Sequence, residues 1–91
     1  MKTEEEIKYE MERLEKKLSV MESSVEELNI KIDIIIDEPY NGFEDTMRKQ
    51  HEIEAIFNVK SSILMDMYNI EAKLDILHYV LGLEPYKYKH Q

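Results

Sequence analysis

Two acid–histidine pairs, His51-x-x-Glu54 and Asp75-x-x-His78, are the nearest this sequence comes to a reactive centre. Residues three apart share one face of a helix, so each pair could offer an imidazole and a carboxylate to a metal ion. Glu71 adds a second carboxylate one turn before Asp75, and Glu71, Asp75 and His78 would face Glu4, Glu5 and Glu6 if the chain folds back on itself. Di-metal helical bundles, however, place Glu-x-x-His motifs in the bundle interior, and no Glu-x-x-His occurs here. Both histidines fall largely outside the main apolar stripe. They read as boundary residues, with His78 placed to meet carbonyls at a helix end. No metal site and no cofactor is expected.

Other catalytic constellations are missing too. The chain has no cysteine, no Ser/His/acid set that suggests a triad, and no Gly-rich phosphate loop. Helical pyrophosphohydrolases of the MazG type pair two acidic motifs around magnesium. Glu12-x-x-Glu15 is present, but the matching Glu-x-x-Asp is absent from the second half. Small helical chorismate mutases bury several Arg and Lys. Here only Lys60 interrupts an apolar seam, and Arg13 and Arg48 sit at polar positions. The expectation is a protein that is not an enzyme.

Composition points to long helices. Among 91 residues there are two Gly and two Pro, with 43% hydrophobic and 35% charged residues. The formal net charge is −8, and the acids cluster in the first helical segment. That balance argues against direct contact with nucleic-acid phosphates or an anionic membrane surface. No apolar run approaches the ~18 residues of a membrane span. The acidic N-terminus does not resemble a secretory signal, so the cytoplasm is the expected location.

Periodicity supplies the architecture. Thr3 and Glu6 form a capping box. Ile7, Met11, Leu14, Leu18, Met21, Val25, Leu28, Ile32 and Ile35 then alternate by fours and threes, a heptad seam predicting a helix over 4–37, roughly 50 Å long at 1.5 Å per residue. Pro39 ends it. Asn41-Gly42 marks a turn, with Asn41 and Glu44 as a second N-cap pair and Tyr40 and Phe43 as apolar plugs at the tip. A second stripe, Ile53, Ile56, Lys60, Ile63, Met67, Ile70, Leu74, Leu77 and Leu81, predicts a helix over 44–81, with a kink conceivable around Asn58–Ser62. Gly82 stops it. The fold class is therefore all-α: an antiparallel long helical hairpin over 1–82, residue i facing residue 81 − i, followed by a tail over 83–91. Disorder is expected for that tail; docking through Tyr86 and Tyr88 is the other arrangement.

One stripe per helix would satisfy a hairpin, and this chain has more. Phe57, Ser61, Met65, Tyr68, Ala72, Ile76 and Tyr79 form another three–four series on the far side of the second helix, and the first helix adds Val20, Ile30, Ile34 and Ile36. Each large apolar side chain left in water forgoes about 1.5–3 kcal/mol. The expectation is a homodimeric four-helix bundle or larger helical assembly, contacting through Phe57, Met65, Tyr68, Ala72, Ile76 and Tyr79.

At the turn, Tyr40-Asn41-Gly42 resembles the Trp-x-Gly of the WXG100 secretion family, whose members are acidic, dimeric helical hairpins of about this length. The resemblance covers three residues and lacks the Trp. That family's Tyr-x-x-x-Asp/Glu secretion signal is not matched, because the acid after Tyr79 falls one position late, at Glu84. The resemblance implies a secreted hairpin. The residues favour a non-enzymatic protein–protein interaction module that binds itself and another protein. An acidic inhibitor or nucleic-acid mimic acting through Glu10, Glu12, Glu22, Glu26, Glu27 and Asp33 is the alternative.

Overall fold

The computed structural model of the chain describes residues 3–39 and 41–89. Helix α1 (Glu4–Asp37) and helix α2 (Phe43–Val80) pack side by side as a hairpin, with no strand among the described residues. The molecule measures 61 × 20 × 15 Å, the proportions of two long rods in contact. Both helices match the sequence expectation to within a residue at each end. α2 runs unbroken through Asn58, Ser61 and Ser62, where a kink had been conceivable.

The heptad seam is the interface. Ile7, Leu14, Leu18, Ile32 and Ile35 of α1 are buried, as are Met67, Ile70 and Leu74 of α2. Leu14, Leu18, Met67, Ile70 and Leu74 form one cluster, flanked by Met11, Met21, Val25, Ile63, Leu64 and Leu77. Leu14 and Met67 thus share a layer, as an 81 − i register requires. Ile35 likewise borders Lys49 and Ile53 near the turn. Lys60, the polar member of the α2 stripe, is half-buried and places its ammonium 5.8 Å from the centre of the Phe57 ring.

Each helix end has an identifiable cause. The Glu6 amide donates to Thr3 Oγ1 (3.2 Å), and acids fill the first turn of α1. The other end of α1 has no basic residue of its own. Lys49 of α2 supplies the charge: its Nζ donates to the carbonyls of Glu38 (3.2 Å) and Pro39 (2.7 Å) and lies 3.3 Å from Asp45 Oδ2. Arg48 joins Asp45 (2.7 Å) to Glu52 (2.8 Å), and its hydrogen bond holds the Asp45 carboxyl below its ordinary pKa.

Two expectations at the tip are corrected. The N-cap of α2 is Gly42, at φ +98°, not Asn41; the chain needs a left-handed residue to reverse direction there, and the Thr46 hydroxyl donates to the Gly42 carbonyl (2.9 Å). Phe43 is no plug: it is 76% exposed, because the first turn of α2 points it away from α1. Tyr40, the other expected plug, lies outside the described residues.

α2 ends in a Schellman motif. The Gly82 amide donates to the Tyr79 carbonyl (3.0 Å) and the Leu83 amide to the His78 carbonyl (2.9 Å), with Gly82 at φ +70°. This turn sends the remaining chain back along α2. In residues 84–89 the side chains of Tyr86 and Tyr88 are half-buried beside the hairpin, while Glu84, Pro85, Lys87 and Lys89 are exposed.

Candidate functional site: the tail groove and the outer stripe of α2

Residues 64, 68, 71, 75 and 78 of α2 fall at three–four spacing and so form one strip beside the seam. The tail runs against this strip. The Tyr86 amide donates to Asp75 Oδ1 (3.3 Å), the Tyr88 hydroxyl to Asp75 Oδ2 (3.2 Å), and the Lys89 amide to Glu71 Oε2 (2.8 Å). His78 Nδ1 lies 3.0 Å from the Glu84 carbonyl; since a carbonyl only accepts, Nδ1 carries the proton. Aromatic contacts complete the strip: Tyr68 with Tyr88, Tyr86 with Tyr88 edge-on, and His78 with Tyr86 edge-on, at centroid separations of 5.9, 5.8 and 5.5 Å. Tyr86 also packs on the core cluster.

The three residues weighed as metal ligands are thus engaged in holding the tail. No group of three or more acidic, His or Cys residues among the described residues is arranged to hold a metal ion. Glu71 and Asp75 turn toward the tail backbone, because burial leaves a carboxylate in need of donors and the tail amides are the donors at hand. Glu71 is fully buried. Its Oε1 nevertheless accepts no hydrogen bond, and neither does the buried His78 Nε2.

Tyr86 sits at the centre of this electrostatic arrangement. Burial, then the charge and hydrogen bonding of Glu71, then the charges of Glu15 and Glu22, push its hydroxyl pKa up to about 12. The Tyr88 hydroxyl is raised as well, by desolvation and by its bond to Asp75. A tyrosine whose folded pKa lies above the ordinary value of ~10 stabilises the docked state fully below pH 10, and that contribution is lost as pH rises through its folded pKa. Tail release is therefore expected between about pH 10 and 12. Following the Tyr86 and Lys89 amides, or tyrosinate absorbance, against pH would show it. In Tyr86→Phe the Tyr86 share of the late-titrating absorbance should vanish, leaving that of Tyr88.

No family model, curated protein or solved structure matches this chain. Its functional reading rests on its own surfaces.

The residues expected to mediate contact differ in exposure. Met65 and Tyr79 are 71% and 84% exposed, Phe57 and Ile76 are exposed, Ala72 is half-buried, and Tyr68 is exposed beside Tyr88. Val20, Ile30, Ile34 and Ile36 of α1 are exposed too. On the acidic side, Glu12, Glu26, Glu27 and Asp33 are exposed, while Glu10 pairs with Arg13 (2.6 Å). Among the described residues, no helix is long and apolar enough to cross a membrane.

Docking through Tyr86 and Tyr88 is one of the two arrangements the sequence offers; what the sequence does not reveal is that Asp75 and Glu71 accept from the tail's backbone amides. The signal for docking is present: Tyr86 and Tyr88 repeat at a period of two, the mark of an extended segment with one face against a surface.

Proposed function

We propose that the chain is a non-enzymatic assembly module that self-associates through α2, two hairpins joining as a four-helix bundle. One observation carries this reading. α1 already occupies the seam of α2, yet Met65, Ile76 and Tyr79 remain exposed on the side away from it, with the partly exposed Phe57 bordering Ile35 and Ile36 at the seam's edge. Leaving three such side chains in water forgoes on the order of 5–9 kcal/mol, comparable with the whole stability of a small domain.

A second copy suits this stripe on two grounds. Every residue from Phe57 through Ser61, Met65, Tyr68, Ala72 and Ile76 to Tyr79 along the stripe is uncharged, so two chains of net charge −8 can meet there without opposing like charges in the contact. Ser61 and Ala72 alternate with the large residues, which lets two helices approach closely around a two-fold axis. Such a module would present its acidic α1 faces outward.

Light scattering on the purified chain tests the proposal. A mass twice that of the single chain is expected. Met65→Glu with Ile76→Glu should return the single-chain mass with helical content unchanged. A wild-type chain that stays monomeric at high protein concentration would end the self-association reading.

A further inference from the structure

The open face of α2 is shaped so that a second copy fits it in one direction. Residues 62, 65, 69, 72, 76 and 79 follow each other at three–four spacing and lie along one side of the helix. None is charged. The tail is held on the neighbouring strip, at Tyr68, Glu71, Asp75 and His78. Bulk is uneven along the open face: Met65, Ile76 and Tyr79 are large and exposed, while Ser62, Asn69 and Ala72 are smaller. Antiparallel helices packed through such a face share layers between alternate positions, as Leu14 and Met67 do in the hairpin seam. In-phase placements therefore differ by whole heptads. One of them sets Met65 of each copy against Ile76 of the other, Tyr79 against Ser62, and Ala72 against Asn69. Each large side chain then meets an apolar partner or a small one. Sliding a heptad one way sets Met65 and Ile76 against Asn69 and Asn58. Sliding the other way carries Met65 past the end of the other α2, at Val80.

The flanks of this face agree with the same placement. Val59, Asp66, Lys73 and Val80 run beside it, seven residues apart. The placement brings Asp66 of each copy beside Lys73 of the other, twice by symmetry, and Val59 beside Val80. Both valines are more than half exposed. Asp66 and Lys73 are exposed, and neither forms an ion pair among the described residues; Lys17 of α1 lines the same hollow without pairing with Asp66. A parallel pair would stack Asn69 on Asn69 and Ala72 on Ala72, and would set Asp66 and Lys73 beside Ser61 and Tyr68, away from opposite charge.

We infer that two copies join through α2 in antiparallel fashion, centred between Asn69 and Ala72, with Asp66 of each paired to Lys73 of the other. This rests on the self-association reading and supplies its geometry. The overlap spans roughly 30 Å of each α2, and the two turns project from opposite ends of a rod about 80 Å long. The assembly thus presents two hairpin tips facing apart.

Single cysteines test the geometry, since the chain has none of its own. Asn69→Cys is expected to form a disulfide-linked dimer on mild oxidation, because its two copies lie about one helical turn apart across the two-fold axis. Ser62→Cys is expected to stay unlinked, its copies being about 25 Å apart along the helices. Asp66→Lys should weaken association about tenfold in sedimentation, although it reduces the net charge that drives copies apart; adding Lys73→Asp to the same chain should restore it. All four positions are exposed, so the hairpin keeps its core. Linking through Ser62→Cys, or a dimer that Asn69→Cys does not link, overturns the antiparallel geometry and leaves self-association standing. So does an Asp66→Lys chain that associates as well as wild type. A wild-type chain that stays monomeric removes both.

Discussion

Leu74→Ala is expected to lower the stability of the chain by about 2–5 kcal/mol. Leu74 is fully buried and belongs to the cluster with Leu14, Leu18, Met67 and Ile70. A two-helix hairpin has few layers, and side chains in rigid helical backbones cannot collapse far into a vacated space. Removing the side chain therefore costs both its transfer free energy and an unfilled cavity. For a chain of this size the loss is a large share of the total, typically ~5–15 kcal/mol for a domain. Urea unfolding followed by circular dichroism would measure it. The same truncation at exposed Val20 should shift the midpoint only slightly, within about 0.5 kcal/mol.

Tyr86→Ala is expected to release the tail and to cost roughly 2–3 kcal/mol, less than a wholly buried aromatic because Tyr86 keeps part of its ring in solvent. Its ring joins the tail to the hydrophobic cluster and contacts both His78 and Tyr88. Once it is removed, the amides of residues 86 and 89 lose their carboxylate acceptors, and Glu71 and Asp75 regain water. Hydrogen exchange reads this directly. The amides of residues 86 and 89 should exchange at near-unprotected rates while those near Leu74 in α2 keep most of their protection. Protection of residue 89 unchanged from wild type would show that the backbone bonds to Glu71 and Asp75 hold the tail without the ring.

The two helices were legible because their signals are local and redundant. Nine apolar positions from Ile7 to Ile35 keep one period, Thr3 caps the start, and Pro39 forbids continuation. The register followed from the short turn, which leaves little freedom in how far the rods slide. The details of the tip were less legible. Asn41 and Gly42 are both good cap residues, and the choice between them depends on the three-dimensional reversal, which gave the left-handed position to Gly42. The tail was hardest, because its backbone hydrogen bonds run from amides to carboxylates up to 18 residues away, and Tyr86 packs on a cluster that includes Leu14 and Leu18 at the far end of the sequence. Backbone donors carry no side-chain signature. Glu71, read by residue type alone, belongs on a surface, and only the returning chain explains its burial.

Lys49 gives the two rods unequal independence. The first helix ends in Asp33, Asp37 and Glu38, acids set at its own negative pole, and its compensating cation is borrowed from the second helix. Cut free at the loop, a peptide of the first helix would begin firmly at Thr3 and unwind from its far end, where nothing offsets the accumulated repulsion. The second helix starts with acids in its first turn and closes on its own glycine, so it needs no such loan. The hairpin thus joins one self-sufficient rod to one that is finished only when its neighbour is in place.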